Sequence, residues 1–204
     1  EVNCETDFVA KNADFVAFVD TVAQKALDID QDVAEAMKDD LSAFISKTGE
    51  NVKIRRSEKY TVAGTGKVAS YIHMGGKVGV LLEVACGKAE TLENAEFVEM
   101  VKDITLQIAA VAPKWLDRTV VPEADIAAER EIYAKQMEGQ NKPANILEKI
   151  IDGKINKFFT ENCLVDQIFV KDSELTITKL IAKVAKACGD EIKIVRYTRY
   201  QLGA

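Results

Sequence analysis

The sequence predicts an α+β fold made of two repeated subdomains, each with a small antiparallel sheet and helices on one face. An internal repeat carries most of this prediction. At an offset of 82 residues, eight identities fall within the first 19 positions, including Cys4 on Cys86 and Asn12 on Asn94. Each copy reads as strand–helix–helix–strand, with a hairpin added in the second, and this order predicts the α+β class.

A second offset, of 140 residues, aligns the end of the first copy with the end of the chain. Gly49 falls on Gly189 and Arg56 on Arg196. The two offsets differ by 58 residues, so the second copy carries an insertion of that length. We expect the following parts: a first subdomain at 1–60, the beginning of the second at 61–112, an inserted module at 113–164 and the closing part of the second at 165–204.

The first copy reads as two helices followed by a strand. Apolar residues at helical spacing predict helices over 13–27 and 32–47. Asn12 is a suitable cap for the first helix, and Gly49 lies where the second should stop. Alternating apolar residues predict a strand over 51–60.

The second copy begins with a hairpin. Strands are predicted over 67–74 and 77–86, joined through Gly75-Gly76, a favoured pair for tight turns. The same patterns predict the remaining elements: a helix over 94–111, a short strand over 165–170, a helix over 174–187 and a final strand over 192–200.

The inserted module differs in composition from both copies. Charged segments with apolar residues three or four apart predict helices over 123–138 and 144–161, with a turn at 139–143 between them. This pattern favours an antiparallel helical hairpin or short coiled coil. The alternative is a pair of surface helices packed on the domain.

Composition limits the classes of function. A net charge of −6 argues against a dedicated nucleic-acid binder. The sequence has no apolar run long enough for a membrane span and no signal peptide, so we expect a cytoplasmic protein without membrane contact. Four scattered cysteines predict buried thiols in a reducing compartment. The chain lacks an initial Met and the first copy lacks its hairpin, so we expect that upstream sequence has been removed.

No motif of catalysis or of cofactor or metal binding stands out. Gly64–Lys67 resembles a phosphate loop, but Thr61 replaces its first glycine, Val68 follows the lysine, and a strand comes next. His73 is the one histidine, which makes a structural zinc site improbable. Arg55-Arg56 could bind phosphate, although a solvated pair is the safer interpretation. We therefore expect a protein that is not an enzyme and that has no cofactor.

The stretch Cys4–Asn12 is the strongest functional candidate. It places Phe8 in a short polar connection, where small polar residues are usual. The second copy keeps both flanks but reads Gly87–Glu93 in between, so the fold does not need the Phe. An apolar side chain in a connection is a candidate contact with a partner. The alternative is that Phe8 packs under its own helix as a local staple.

These residues carry a resemblance to a known family. Cys4–Asn12 followed by Phe15, Gly49–Arg56 and Ser70–His73 closely resembles the signature of bacterial elongation factor Ts. The order of the parts is also similar, with two related subdomains and a coiled-coil insertion in the second. The resemblance does not include the family's small upstream helical domain, so we expect the chain to correspond to the core, or dimerisation, domain.

The resemblance implies a guanine nucleotide exchange factor for elongation factor Tu, which it would bind in the nucleotide-free and GDP forms. Thr6, Asp7, Phe8 and Val9 match the segment that displaces the partner's magnesium ion. Secondary contacts of the family map to Lys11, Asn12, Gly49, His73 and Val170. Two further contacts map to Thr48, where Ile is commoner, and to Lys171, where an apolar residue is commoner. A homodimer is compatible with this assignment, and the alternative function is an interaction module without exchange activity.

Overall fold

The computed structural model describes residues 1–139 and 143–204, and within these residues the chain divides into two compact units. The first comprises Glu1–Thr61 and Tyr200–Ala204, and the second comprises Val62–Arg199. Each unit buries an apolar cluster of its own. Helices alternate with small sheets, which confirms the predicted α+β class.

The first unit consists of four helical segments and one short pair of strands. The elements in chain order are β1 (Val2–Asn3), α1 (Asp7–Ala10), α2 (Ala13–Asp28), α3 (Val33–Ala36), α4 (Lys38–Thr48) and β2 (Lys53–Ile54). Strand β1 pairs antiparallel with β2, with Val2 opposite Ile54.

Two aromatic residues in the core of the first unit occupy positions whose equivalents in the second unit are also buried. Phe18 of α2 stacks on Phe44 of α4, with ring centroids 4.5 Å apart. The residues equivalent to them by the two offsets, Met100 and Val184, are buried in the core of the second unit. The repeat seen in the sequence is therefore also a repeat of core positions.

The inserted module of the second unit forms two helices that contact each other, α6 (Glu123–Gln136) and α7 (Ala144–Asn162). Arg130 of α6 lies 2.7 Å from the Asp152 carboxylate of α7. The coiled-coil geometry of this pair stays a prediction. The predicted turn at 139–143 falls largely on residues 140–142, which lie outside the described residues.

The rest of the second unit combines a three-stranded sheet, a separate strand pair and two helices. The bounds are β3 (Gly66–His73), β4 (Val78–Cys86), α5 (Ala95–Val111), β5 (Ile168–Phe169), β6 (Asp172–Thr176), α8 (Ile177–Cys188) and β7 (Ile192–Gln201), of which the residues up to Arg199 belong to this unit. The sheet has the order β3-β4-β7, and helix α5 packs against β3, β4 and α8. Strands β5 and β6 form the antiparallel pair.

Two predicted elements of the first unit are wrong in extent. The helix predicted over 32–47 is interrupted at Met37, whose φ of −113° and ψ of 19° are not helical. The interruption accompanies burial of the Met37 side chain, which is 3% exposed. The strand predicted over 51–60 extends only over β2, whose two residues pair with those of β1.

The second unit also corrects the prediction at its turns. His73 pairs with Val78, so the hairpin loop has four residues rather than the two of Gly75-Gly76. The segment predicted as a strand over 165–170 begins with a 3-10 turn, Leu164–Asp166, before β5. Strand β6 was not predicted, and it displaces the start of the following helix to Ile177.

Candidate functional site

The connection between β1 and α2 contains one helical turn, α1 (Asp7–Ala10). Thr6 caps α1, because its hydroxyl oxygen accepts a hydrogen bond from the Val9 amide at 3.3 Å. Asn12 caps α2, and its side-chain oxygen accepts from the Asp14 amide at 2.8 Å. Two consecutive caps therefore define the path of the chain on both sides of Phe8.

Phe8 points away from its own unit, with 89% of its surface exposed. Its neighbour Val9 is half-buried and packs against the apolar cluster of the first unit, as does Cys4. The alternative interpretation of Phe8 as a local staple is therefore wrong. Val9 provides the inward contact of the turn, and Phe8 remains available at the surface.

Glu50 connects this turn to the end of α4. One oxygen of its carboxylate accepts hydrogen bonds from the backbone amides of Glu5 at 3.2 Å and Thr6 at 3.1 Å. The other oxygen accepts a hydrogen bond from the Thr6 hydroxyl. The Thr6 hydroxyl thus donates to Glu50 while it accepts from the Val9 amide. A single carboxylate therefore contacts three donors at the entrance to α1.

Gly49 directs Glu50 towards the turn. It ends α4 in the left-handed conformation, with φ of 71°, and its amide donates to the Ile45 carbonyl at 2.8 Å. This confirms the predicted helix stop. The preceding Thr48 is half-buried, and its hydroxyl donates to the Phe44 carbonyl at 3.0 Å.

The second unit contains the same arrangement of a carboxylate and a turn. Asp190, which the 140-residue offset aligns with Glu50, accepts from the amides of Gly87 at 3.1 Å and Lys88 at 3.0 Å. The Thr91 hydroxyl also donates to Asp190, at 2.5 Å. The acceptor and the two amides are equivalent in both copies, whereas the hydroxyl comes from a different position.

The side chains that the two turns present differ. The 82-residue offset aligns Phe8 with Glu90, which is also exposed and lies in a 3-10 helix, Ala89–Glu93. Both copies therefore direct this position to the surface. In the second copy the position carries a charged residue, as expected for a surface, and in the first it carries an aromatic ring.

The thiols next to the two turns are also equivalent. Burial raises the pKa of Cys4, and the negative charge of Glu50 raises it further. Burial likewise raises the pKa of Cys86, with an added contribution from Asp190. The prediction that the cysteines are buried holds fully for Cys163, while the other three are half-buried. All four are free thiols.

The hairpin of the second unit exposes a small apolar group at its tip. His73 is exposed, and its Nδ1 lies 3.0 Å from the hydroxyl of Tyr71. Ile72 and Met74 on either side of it are 65% and 64% exposed. Sequence reasoning selected His73 but missed both neighbours. The signal that could have found them was Gly75-Gly76, which places the adjacent residues at a turn.

The turn between β5 and β6 exposes a second apolar group. Val170 is 52% exposed and Ile168 is 53% exposed. The Val170 amide donates to the side-chain oxygen of Gln107 at 2.9 Å, and the side-chain amide of Gln107 donates to the Ile168 carbonyl at 3.1 Å. Gln107 is fully buried, so a buried amide fixes the backbone of an exposed turn.

Lys171 follows Val170 and has a partner within its own unit. Its ammonium nitrogen lies 2.6 Å from the carboxylate of Asp103, which is a residue of α5. The hydrogen bond with this carboxylate raises the pKa of Lys171. The Lys171 side chain is therefore partly committed to an internal ion pair.

Arg55 is exposed and Arg56 is half-buried, and both arginines pair with the same carboxylate. Arg55 and Arg56 lie 3.0 Å and 2.5 Å from the two carboxylate oxygens of Glu1. Arg196 makes the equivalent ion pair with Glu83 at 2.7 Å in the second unit. The pairing is therefore a structural feature of the repeat.

The predicted site residues fall into two groups. Thr6, Asp7, Phe8, Val9, Lys11, Asn12, Thr48 and Gly49 belong to the first unit, and His73, Val170 and Lys171 belong to the second. Lys11 is exposed and follows α1 directly. Within 1–139 and 143–204, no three His, Cys, Asp or Glu side chains cluster as metal ligands would. The helices of the same residues include none with the length and apolar character that a bilayer span requires.

The fold and these surfaces define a protein that presents apolar side chains on fixed turns, as proteins that bind other macromolecules do. The sequence model of the family described as Elongation factor TS matches residues 5–204. Elongation factor Ts from a Nitratiruptor species is 42% identical over 213 residues, which cover 100% of this chain and 69% of the relative. The chain belongs to the elongation factor Ts family.

Other relatives agree with this assignment. Elongation factor Ts from Clostridium botulinum (strain Alaska E43 / Type E3) is 41% identical over 214 residues, covering 100% of this chain and 69% of the relative. The protein of that name from Nitratidesulfovibrio vulgaris (strain DP4) is 38% identical over 206 residues, covering 100% and 70%. Membership of this family supports a general role in nucleotide exchange on elongation factor Tu during translation elongation.

Proposed function

We propose that this chain accelerates GDP release from elongation factor Tu by placing Phe8 between helices of the partner's GTPase domain, beside its magnesium and phosphate site. The observation that supports this proposal is the 89% exposure of Phe8 on a turn with a cap at each end. The equivalent turn of the second unit has no aromatic residue at this position, so the fold alone does not explain Phe8.

The mechanism is one of linked binding equilibria. An exchange factor binds its nucleotide-free partner more tightly than the nucleotide-bound form, and by reciprocity the nucleotide binds less tightly while the factor is bound. Such a protein makes and breaks no covalent bond. It therefore needs a well-placed contact surface, and a general acid, base or nucleophile has no part in the process.

The size of the effect can be estimated from Phe8 alone. Burying an exposed Phe side chain contributes about 1.5–3 kcal/mol. If this contact forms with the nucleotide-free partner and not with the GDP-bound one, the partner's affinity for GDP falls by roughly one to two powers of ten while the factor is bound. The fixed turn adds to this effect, because little conformational entropy remains to be lost on binding.

The other residues of the turn support Phe8 in different ways. The Thr6 hydroxyl and the half-buried Val9 shape the turn, and exposed Asp7 brings a carboxylate next to Phe8. We propose that Thr6 and Val9 act mainly through this shape. Asp7 would lie closest to the magnesium ion of the partner.

The secondary contacts differ in how free their side chains are. Val170 and His73 expose surface that a partner could cover, and Gly49 offers backbone at the end of α4. Asn12 already serves as a helix cap and Lys171 already pairs with Asp103. We therefore propose that Val170 and His73 contribute more to binding than Asn12 and Lys171 do. Lys11 and Thr48 lie beside the turn and the end of α4, and we propose only peripheral contacts for them.

The experiment is release of fluorescent GDP from elongation factor Tu, measured with this chain, with Phe8→Ala and with the control Glu90→Ala. We expect the unsubstituted chain and Glu90→Ala to accelerate release equally, and Phe8→Ala to be slower by roughly tenfold to a hundredfold. Release that is equally fast with Phe8→Ala would remove Phe8 from the mechanism. Co-elution with nucleotide-free partner, without any acceleration, would instead indicate an interaction module that lacks exchange activity.

A further inference from the structure

We infer that Glu50 is a positioning residue for nucleotide exchange, which fixes the turn that presents Phe8 without itself contacting the partner's nucleotide site. This inference rests on the proposed function. It assigns to Glu50 a role distinct from that of Thr6, Asp7, Phe8 and Val9, which form the presented segment.

The first reason is that α1 is too short to maintain its own shape. It has four residues, and a helix of one turn gains too few hydrogen bonds to offset the entropy of ordering it. External contacts must therefore fix it. Val9 supplies an apolar contact on the inner side, and Glu50 supplies the polar contacts at the N-terminal entrance.

The second reason is the continuous path of hydrogen bonds from Glu50 to the residue that follows Phe8. The Glu50 carboxylate accepts from the Thr6 hydroxyl, which in turn accepts from the Val9 amide. The same carboxylate also accepts from the Glu5 and Thr6 amides. Hydrogen bonds to an ionised acceptor are stronger than neutral ones, so this path resists rotation of the turn.

The third reason comes from the second unit, where the same arrangement serves a turn without an apolar side chain. Asp190 accepts from the amides of Gly87 and Lys88, which the 82-residue offset aligns with Glu5 and Thr6. The carboxylate therefore belongs to the scaffold of the repeat. Only in the first unit does it act on an exposed aromatic residue, so only there can it influence exchange.

The test uses the whole chain and measures release of fluorescent GDP for Glu50→Ala, Glu50→Gln and the matched control Asp190→Ala. We expect Glu50→Ala to slow exchange about tenfold, because charge-assisted hydrogen bonds are lost. Glu50→Gln retains one oxygen acceptor and should fall between Glu50→Ala and the parent. Asp190→Ala should lower the melting temperature but exchange nucleotide like the parent.

A double substitution separates positioning from a general loss of structure. If Glu50 acts through the orientation of Phe8, adding Glu50→Ala to Phe8→Ala should slow exchange no further, because there is no ring left to position. Additive losses would overturn the inference and indicate that Glu50 contacts the partner directly. Equal slowing by Asp190→Ala and Glu50→Ala would also overturn it, since both effects would then reflect lower stability.

Backbone amide hydrogen exchange provides a readout that does not depend on the partner. The Glu5 and Thr6 amides should lose protection in Glu50→Ala, while α2 stays protected. Unchanged protection would contradict the positioning role. If Phe8→Ala alone leaves release unchanged, the proposed function fails, and the inference fails with it. If Phe8→Ala slows release and Glu50→Ala does not, only the inference fails.

Discussion

The two turns that follow β1 and β4 share a scaffold and differ in what they present. In each, a carboxylate after a left-handed glycine accepts from two successive backbone amides and a threonine hydroxyl. Glu50 does this for a helical turn that exposes Phe8, and Asp190 does it for a 3-10 turn that exposes Glu90. The comparison separates the residues that build a turn from the residue that a partner can contact.

This separation explains why exposure alone is informative here. A single exposed apolar residue on a protein surface usually needs no explanation. At this position, however, the same scaffold in the second unit carries a charged residue, Glu90. The difference between Phe8 and Glu90 is therefore a stronger indication of function than the exposed area of Phe8 by itself.

The largest expected effect is a loss of stability when equivalent core residues of the two units are replaced by alanine. Phe44→Ala removes a ring stacked 4.5 Å from Phe18, and substitutions of this kind cost about 3–5 kcal/mol. Val184→Ala, at the equivalent position, removes two carbon atoms and should cost less. Urea unfolding followed by circular dichroism measures both. Equal losses of unfolding free energy would contradict the expectation that the larger side chain, Phe44, contributes more to its core than Val184 does.

The next effect concerns exchange rather than stability. Phe8→Glu gives the first turn the residue of the second, and it should slow GDP release by at least roughly one power of ten. The free energy of unfolding should change by less than about 0.5 kcal/mol, because Phe8 makes no core contact. The reciprocal change, Glu90→Phe, should add no exchange activity. Faster release with Glu90→Phe would indicate that any exposed ring on such a turn suffices.

Local patterns in the sequence predicted the features that depend on local physics. Asn12 as a helix cap and Gly49 as a helix stop follow from residue type and position, and the structure confirms both. The exposure of Phe8 was predicted by comparing the two copies, because the second copy served as a control. Hydrophobic periodicity also located most helices to within a few residues.

The features that the sequence did not reveal depend on contacts between distant residues. The hydrogen bonds that the turn donates to Glu50 span 44 or 45 residues, and no local pattern marks their acceptor. The interruption of a helix at Met37 accompanies burial of its side chain, which periodicity does not anticipate.

A smaller effect is expected at the two glycines that precede the carboxylates. Gly49 and Gly189 have φ of 71° and 58°, and no atom lies within 4 Å of where a Cβ would be added. Alanine at either position should therefore cost about 1–2 kcal/mol through the backbone alone. Only Gly49→Ala should also slow GDP release, because it displaces Glu50. Slower release with Gly189→Ala would contradict the division between the two turns.

The smallest expected effect is on how the free energy of unfolding changes with pH in the acidic range. The Thr91 hydroxyl, followed by backbone amides including those of Lys88 and Gly87, lowers the pKa of Asp190 below its ordinary value of 3.8. The native state then binds fewer protons than the unfolded state, so ionised Asp190 stabilises the fold above the unfolded pKa. That contribution is lost as the pH falls through the lowered native pKa.

Asp190→Asn should remove this contribution, so its difference in stability from the parent should be greatest at neutral pH and shrink in acid. Urea unfolding of both proteins at pH 7 and at steps down to about pH 3 measures the difference, and other titrating carboxylates cancel in the subtraction. A difference that stays constant with pH would mean that Asp190 acts through packing and not through its charge. Asp190 supports a turn that has no exposed aromatic ring, so GDP release with Asp190→Asn at pH 7 should match that with the parent. This result would mean that only the carboxylate of the first unit, Glu50, affects nucleotide exchange.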